Sequence, residues 1–415
     1  MTLGHPRHIV RPRRARRWKI ALAILGALLV VLIALAATQL LRSPPALAAR
    51  PSLPSSYRAP GTFLASWAPG AENVVSLEGA GVMGAVGGQR EIAVASVTKL
   101  MSVLVILADH PLQVGQSGPE IPITAADVSR YQQEKAAQDS VIALQLGEHL
   151  SELQALEAAL IPSADDVIQV LANWDAGSTA AFVAKMNAEA RHLGLRHTHY
   201  VGPSGVNPGN VSTAADQTRL AQLAMSNPVI AGIVAMPQVT LPVAGLCYNV
   251  NADLGHAGIF GVKTGWVPAG GASFVFAAHH VFAGRTETII GALVGLQATP
   301  AIPSALADAQ RLVTSVRSQL SMVRPVRRGE TVATIQAPWG DSAAVKTTAG
   351  ATLVAWHGAR VALAVTLRRH LKAPVAAGTR VGMLSVSLGQ ERRTIPLVTA
   401  AALATPSFSW RLLHG

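Results

Sequence analysis

The sequence predicts an α+β chain: an antiparallel sheet with helices packed on it plus a helical subdomain, then a small all-β domain, behind an N-terminal transmembrane helix. Three observations predict it. An unbroken apolar run, 20–37, follows a basic block. Between 62 and 323, strand-like segments come early and late with helix-like segments between, and the simplest closure brings both strand groups into one sheet. From Pro325 onward, short apolar runs alternate with Gly and Pro turns.

The first nineteen residues hold Arg7, Arg11, Arg13, Arg14, Arg16, Arg17 and Lys19 and no acid, a basic tail that stays in the cytoplasm. The apolar run extends through Leu41, so 20–41 reaches the roughly 20 residues that span a bilayer. The chain beyond Leu41 is then exported. The alternative is a cleaved signal peptide with Ala46-Leu47-Ala48 as its A-x-A site. The apolar run is longer than the roughly 7–15 residues of a signal core, which favours an uncleaved anchor. Residues 42–61, rich in Pro, Ser and Ala, read as an extended, semi-rigid spacer.

The body, 62–323, opens with strands over 73–77, 81–86 and 91–94. A helix from Ser96 to Asp109 is apolar nearly all round and belongs in the middle of a domain. Residues 113–225 read as mostly helical, with polar loops such as 202–210. Strands over 259–264, 273–282 and 286–296 form a meander. A helix over 304–322 then places Leu306, Ala309, Val313, Val316 and Leu320 on one side. The β domain, 324–404, has strand-like runs at 331–335, 351–356, 360–367 and 380–388. The tail, 405–415, is too short for a convincing amphipathic anchor.

Composition bounds the function. Of 415 residues, 50% are hydrophobic and 13% charged, which excludes a largely disordered chain. The single cysteine, Cys247, excludes an internal disulfide framework. It reads as a small buried hydrophobe rather than a nucleophile. The net charge is +12; the basic tail accounts for seven, and the remainder reads as spread widely. No basic stripe interleaved with aromatics marks a nucleic-acid surface.

Three short motifs carry chemistry. Ser96-Val97-Thr98-Lys99 is an S-x-x-K, and on a helix i and i+3 share a face. A lysine takes a serine proton if burial or a second cation disfavours its charge. The helix start adds N–H groups where an oxyanion would form. The plainer alternative is a capping serine and an incidental lysine. Pro162-Ser163-Ala164-Asp165-Asp166 lies between two apolar helices; its polar residues either cap the second or offer Ser163 as a hydroxyl relay. Lys263-Thr264-Gly265 ends an apolar strand before Trp266, as a carboxylate-binding edge or a simple strand end.

In this order, S-x-x-K at 96, S-x-[N/D] at 163 and K-T-G at 263 resemble the three motifs of the serine DD-peptidases and penicillin-binding proteins. The stretches IAVASVTKLMSVLVIL, LIPSADDVIQVLA and GIFGVKTGWVPAGGASFVFAA are similar to that family's motif segments, and 325–403 resembles the β domain of the low-molecular-mass D-alanyl-D-alanine carboxypeptidases. The resemblance implies a DD-peptidase/β-lactamase-like domain on the cell-wall side of the membrane, with no metal or other cofactor. Ser96 would be the acylated nucleophile, Lys99 its base and Ser163 a proton relay. Lys263 would grip the substrate carboxylate and help keep Lys99 neutral. Asp165, Thr264, Gly265 and Trp266 would contact substrate, with Ser96 and Trp266 N–H groups as the oxyanion hole. The substrate would be a peptidoglycan stem peptide ending in D-Ala–D-Ala, and β-lactams would trap Ser96.

One position departs from the pattern. Asp165 stands where the family has Asn, adding a negative charge near Lys99 and the substrate carboxylate. Other readings are a wall-binding scaffold disabled by Asp165, an endopeptidase, and a class A β-lactamase, which would need a deacylating glutamate in an E-x-x-x-N context that Glu189 lacks. His197, His199, His279 and His280 show no zinc-like spacing with other ligands. Thr213 and Asp216 read as a helix cap and its N3 acid.

Overall fold

The computed structural model describes residues 13–414. Arg7 and Arg11 of the basic tail lie outside the described residues. Helix α1 (Arg13–Leu41) includes a 25-residue candidate span, Arg17–Leu41, whose most apolar 18 residues have a mean hydropathy of 3.1 and none buried. At 1.5 Å per residue that span is about 37 Å long, enough to cross a bilayer core.

The segment expected as an extended, semi-rigid spacer is folded into the β domain. It forms strands β1 (Ala48–Pro51) and β2 (Ser56–Arg58), separated by a short turn. Then come β3 (Glu72–Leu77), β4 (Gly81–Val86), β5 (Ile92–Ala93), a 3-10 turn over Ala95–Thr98, and α2 (Lys99–Asp109). The helical part comprises β6 (Glu120–Pro122), α3 (Ala125–Ala136), β7 (His149–Ser151), α4 (Glu152–Leu160), α5 (Asp165–Ala176), α6 (Thr179–His192), β8 (Val211–Ser212), α7 (Ala214–Met225) and α8 (Pro228–Val234). A small hairpin, β9 (Gln238–Leu241) and β10 (Gly245–Tyr248), leads to β11 (Ile259–Val267), β12 (Gly271–Phe282), β13 (Arg285–Leu296) and α9 (Ala301–Arg317). The β domain holds β14 (Leu320–Val326), β15 (Thr331–Gln336), β16 (Ser342–Thr347), β17 (Ala351–Trp356), β18 (Arg360–Leu367), β19 (Arg380–Leu388) and β20 (Glu391–Thr399), and α10 (Phe408–His414) ends the chain.

The early and late strands do close into one antiparallel sheet, in the order β11-β12-β13-β3-β4. Its side chains alternate with the strand period of two. Val74, Val275, Ala277, Ile290 and Ala292 join the helical core; Val75, Phe274, Phe276, Ile289 and Leu293 face α9 and the β domain. Both faces are covered, so these strands read as continuous apolar runs. Helix α2 runs through the helical core, with Leu100, Met101, Val103 and Ile106 inaccessible to solvent. Its start differs from expectation: Ser96 lies on the 3-10 turn, and the α-helix begins at Lys99.

Helix α9 ends at Arg317, five residues before the expected 322. Leu320 and Met322 belong instead to β14, which pairs with β17, so β structure starts before Pro325. The main sheet of the β domain runs β1-β15-β16-β20-β19-β18-β2, every neighbour antiparallel. Its two edge strands are consecutive in the chain, so the sheet must curl until its edges nearly meet. The former spacer therefore staples the domain shut. Leu47 is buried in the same apolar cluster as Val332, Val361 and Leu384.

Candidate active site

The site begins with a tight contact between a turn and an edge strand. Ala95 takes φ +53, which turns the chain into the 3-10 segment and presents Ser96, half-buried. β11 is the outer strand of its sheet and lies against this turn. A Cβ added to Gly265 would sit 2.9 Å from the Ser96 backbone nitrogen and the Val94 carbonyl oxygen. From the other side Gly205, at φ +93, approaches so closely that a Cβ would meet the Ala95 carbonyl at 1.9 Å. Only glycine permits either approach.

One turn beyond Ser96, the Lys99 amine is fully buried. Its Nζ lies 2.9 Å from Ser96 Oγ, 3.0 Å from the Ser204 carbonyl, 2.5 Å from Asp165 Oδ1 and 3.4 Å from Ser163 Oγ. An ammonium has three protons for these four acceptors, so they compete.

Ser163 sits at φ +67 in the turn between α4 and α5. That bend aims its hydroxyl at the cleft. Ser163 does not cap the helix: the N-cap is Ala164, without a side-chain cap. Lys263, 1% exposed, donates to Ser163 Oγ at 2.9 Å and to the Thr264 carbonyl at 3.0 Å. Ser163 thus links two buried amines. Thr264 is buried, and Trp266, two residues on along the same face, is half exposed.

Asp165 reverses the division of charge that the motif resemblance implies. Its Oδ1 is ion-paired with Lys99, and its Oδ2 accepts from the Ser140 N–H at 3.1 Å. Lys263, expected as the fixed ammonium, is pushed well below its ordinary range by burial and by the charge of Lys99. Behind the pair, burial raises the Glu134 carboxyl to about 7, helped by the Asp165 charge. Burial likewise raises Asp166 to about 7. Asp166 Oδ1 accepts from Val167 N–H at 2.9 Å and Ile142 N–H at 3.4 Å, while Oδ2 has no partner.

The fold therefore brings Ser96, Lys99, Ser163, Asp165, Lys263 and Gly265 to one place. Glu134, Ser140 and Ser204 were not foreseen. Nothing local in the sequence marks them, since they arrive from loops and helices distant in the chain. Away from the site, Thr213 caps α7, and Asp216 accepts from His197 N–H and Thr198 Oγ1. His279 stacks on Phe260 with ring centroids 3.9 Å apart. Cys247 is half-buried, and burial pushes its thiol up, away from nucleophilic use.

Comparison with known proteins gives consistent results. Residues 74–290 match the sequence profile of a family described as D-alanyl-D-alanine carboxypeptidase. A D-alanyl-D-alanine carboxypeptidase of Mycobacterium tuberculosis is 33% identical over 209 residues, 49% of this chain and 66% of that protein. A D-alanyl-D-alanine endopeptidase of Pseudomonas aeruginosa is 32% identical over 150 residues, 36% of this chain and 45% of that protein. The chain thus spans between about half and two thirds of the length of these two relatives. Among solved structures, a Streptomyces DD-transpeptidase is 27% identical with a TM-score of 0.52, covering 62% of this chain and 98% of that one. Penicillin binding protein 5 of Haemophilus influenzae, 18% identical, shares the fold over 83% of this chain and 99% of its own, with a TM-score of 0.58.

Proposed function

Since the chain belongs to the D-alanyl-D-alanine carboxypeptidase family, we propose that it is a serine peptidase that removes the terminal D-alanine from peptidoglycan stem peptides through an acyl-enzyme on Ser96. One observation carries the reading: Ser96 Oγ lies 2.9 Å from a buried amine, itself linked through Ser163 to a second buried amine. That is a nucleophile, a base and a proton path in one crevice.

The resting proton distribution shapes the mechanism. Lys99 cannot accept the Ser96 proton while it carries its own in the ion pair with Asp165. The substrate ends in a carboxylate, and burial and the Lys99 charge disfavour the charged form of Lys263. An arriving carboxylate stabilises the charged form of Lys263. The proton it needs can come from Lys99 through the Ser163 hydroxyl, which both amines touch. Binding thereby leaves Lys99 neutral. Ser96 Oγ then attacks the amide carbon while Lys99 takes its proton. As the C–N bond breaks, that proton passes to the leaving D-alanine nitrogen, and water later cleaves the ester. Backbone N–H groups of Ser96 and Trp266 are suited to hold the oxyanion. β-Lactams acylate Ser96 by the same attack.

We read α1 as an uncleaved anchor, with the body on the cell-wall side. Two residues of the A-x-A site support this. Leu47 is part of the β-domain core, and Ala48 opens the edge strand β1. Cleavage after Ala48 would remove both.

The test is D-alanine release by the full chain from a pentapeptide ending in D-Ala–D-Ala and from the same peptide with its terminal carboxylate amidated. Release from the free acid, abolished by Ser96→Ala, is expected. Amidation should lower the acylation rate by about 10² or more, beyond any change in binding. Faster cleavage of a cross-linked dimer than of the monomer would favour endopeptidase activity, the activity named for the Pseudomonas relative. Absence of release from every substrate would leave a wall-binding module.

A further inference from the structure

The remaining charge is not spread widely; the fold sorts it. Residues 42–61 and 320–404, which build the β domain, hold fourteen Lys and Arg against three acids, whereas 62–319 holds twelve against nineteen. Every basic side chain of the β domain is exposed except Lys346, which is half-buried.

Part of this charge gathers where α1 ends. Residues 42–47 separate α1 from β1, a reach of at most about 20 Å. The Leu47 N–H donates to the Leu371 carbonyl at 2.8 Å, which places the 368–372 loop at the anchor end of the domain. Arg368, Arg369 and Lys372 are exposed on that loop. Arg380 opens β19 beside it, since the Arg368 N–H donates to the Val381 carbonyl at 2.8 Å. Arg411 of α10 donates to the Leu40 carbonyl and, at 3.0 Å, to that of Arg42, so α10 lies against the last turn of α1. Trp410 meets Trp339 edge-on at 5.6 Å. The turn carrying Trp339 is at the same end, because Ala48 pairs with Gln336, and it contributes one acid, Asp341. At the opposite end of the domain, the Gln390 N–H donates to the Gly79 carbonyl at 2.7 Å and docks the catalytic body.

Four exposed cations, with the half-buried rings of Trp339 and Trp410 beside them, at the exit of an apolar helix match the chemistry of a headgroup layer. We propose that the anchor end of the β domain, formed by Arg368, Arg369, Lys372 and Arg380 with Trp339 and Trp410, is a docking surface for anionic phospholipid headgroups of the bilayer that α1 crosses. The proposal rests on the reading of α1 as an uncleaved span. The continuity of this surface with α1 favours the bilayer over a soluble polyanion. Docking holds the β domain flat on the membrane as a stand and keeps the Ser96 crevice at a set height above it.

The test uses the full chain in vesicles of phosphatidylcholine alone or with one third phosphatidylglycerol, reading amide hydrogen exchange over 367–380. Exchange at least about fivefold slower on the anionic bilayer is expected, because even one cation near such a surface changes partitioning about fivefold. High salt should abolish the difference. So should the combined Arg368→Glu, Arg369→Glu, Lys372→Glu and Arg380→Glu variant, or the matching Gln variant should the Glu form lose protection in β20. Arg392→Glu with Arg393→Glu, beside Gln390 at the opposite end of the domain, should leave it intact. Equal exchange on both bilayers, or equal effects of near and far reversals, would overturn docking. Protection on phosphatidylcholine by added poly(glycerol phosphate), matching that on the anionic bilayer, would also overturn it and make a wall polymer the partner. Failure to float with either vesicle would overturn the anchor reading and the docking with it; flotation without protection overturns docking alone.

Discussion

Asp165 lies 2.5 Å from Lys99 Nζ, where an asparagine would leave that amine without a full negative charge beside it. Two buried charges at this distance attract strongly, because little water screens them. The carboxylate holds a proton on the group that must give it up. Asp165→Asn is therefore expected to raise the acylation rate by about tenfold or more. Penicillin acylation rates would measure this. A slower variant would mean that the carboxylate itself takes part in proton transfer. Asp166 makes a different prediction. Burial raises it from an ordinary 3.8 to about 7, so the folded chain binds its proton more tightly than the unfolded chain. That contribution to stability is complete below about pH 4 and is lost as pH rises through about 7. Glu134 has the same sign. The loss from Asp166 is bounded by roughly 4 kcal/mol. Asp166→Asn should flatten the decline in unfolding free energy between pH 5 and 8, as read from denaturation midpoints.

At the scale of elements, the site depends on how closely β11 approaches the 3-10 turn. Gly265→Ala would put a methyl against two backbone atoms that cannot yield without moving strand or turn. A displacement of about 1 Å at Ser96 is expected to cut acylation about 10²-fold. The melting temperature should change little, because the core of β12 and β13 is untouched. Much of this was legible from sequence. The three motifs occur in an order that few chains share, and the apolar runs of β12 and β13 are long enough to be read without their neighbours. What was not legible depended on distant partners. The 48–58 segment looks like a spacer because its Pro, Ser and Ala content lacks strand propensity; it becomes β1 and β2 only because β15 and β18 offer open edges. The helical period continues through Leu320 and so extends α9 to 322 in the sequence, yet the burial of Leu320 comes from β17 across a strand pair. The ion pair of Lys99 with Asp165 joins residues 66 apart. The sequence showed the substitution, but not that the carboxylate would reach the amine.

At the scale of the whole molecule, the proposed reading of α1 as an uncleaved span orders the chain outward from the membrane: α1, then a cationic β domain closed by the residues just after α1, then the acidic body that holds the crevice. The anchor, the staple strands and the β-domain core are continuous, so the body does not hang on a loose tether. On that reading the arrangement would suit an enzyme whose substrate is an insoluble polymer at a fixed distance from the membrane, because it would hold Ser96 at one height above the bilayer. All of it has meaning only if the crevice reacts. The most direct measurement is the mass of the full chain after brief exposure to benzylpenicillin, followed by peptide mapping. One penicilloyl group on the peptide that contains Ser96, and none on Ser96→Ala, is the predicted result. A folded chain that gains no adduct, or gains it at another residue, would contradict the account.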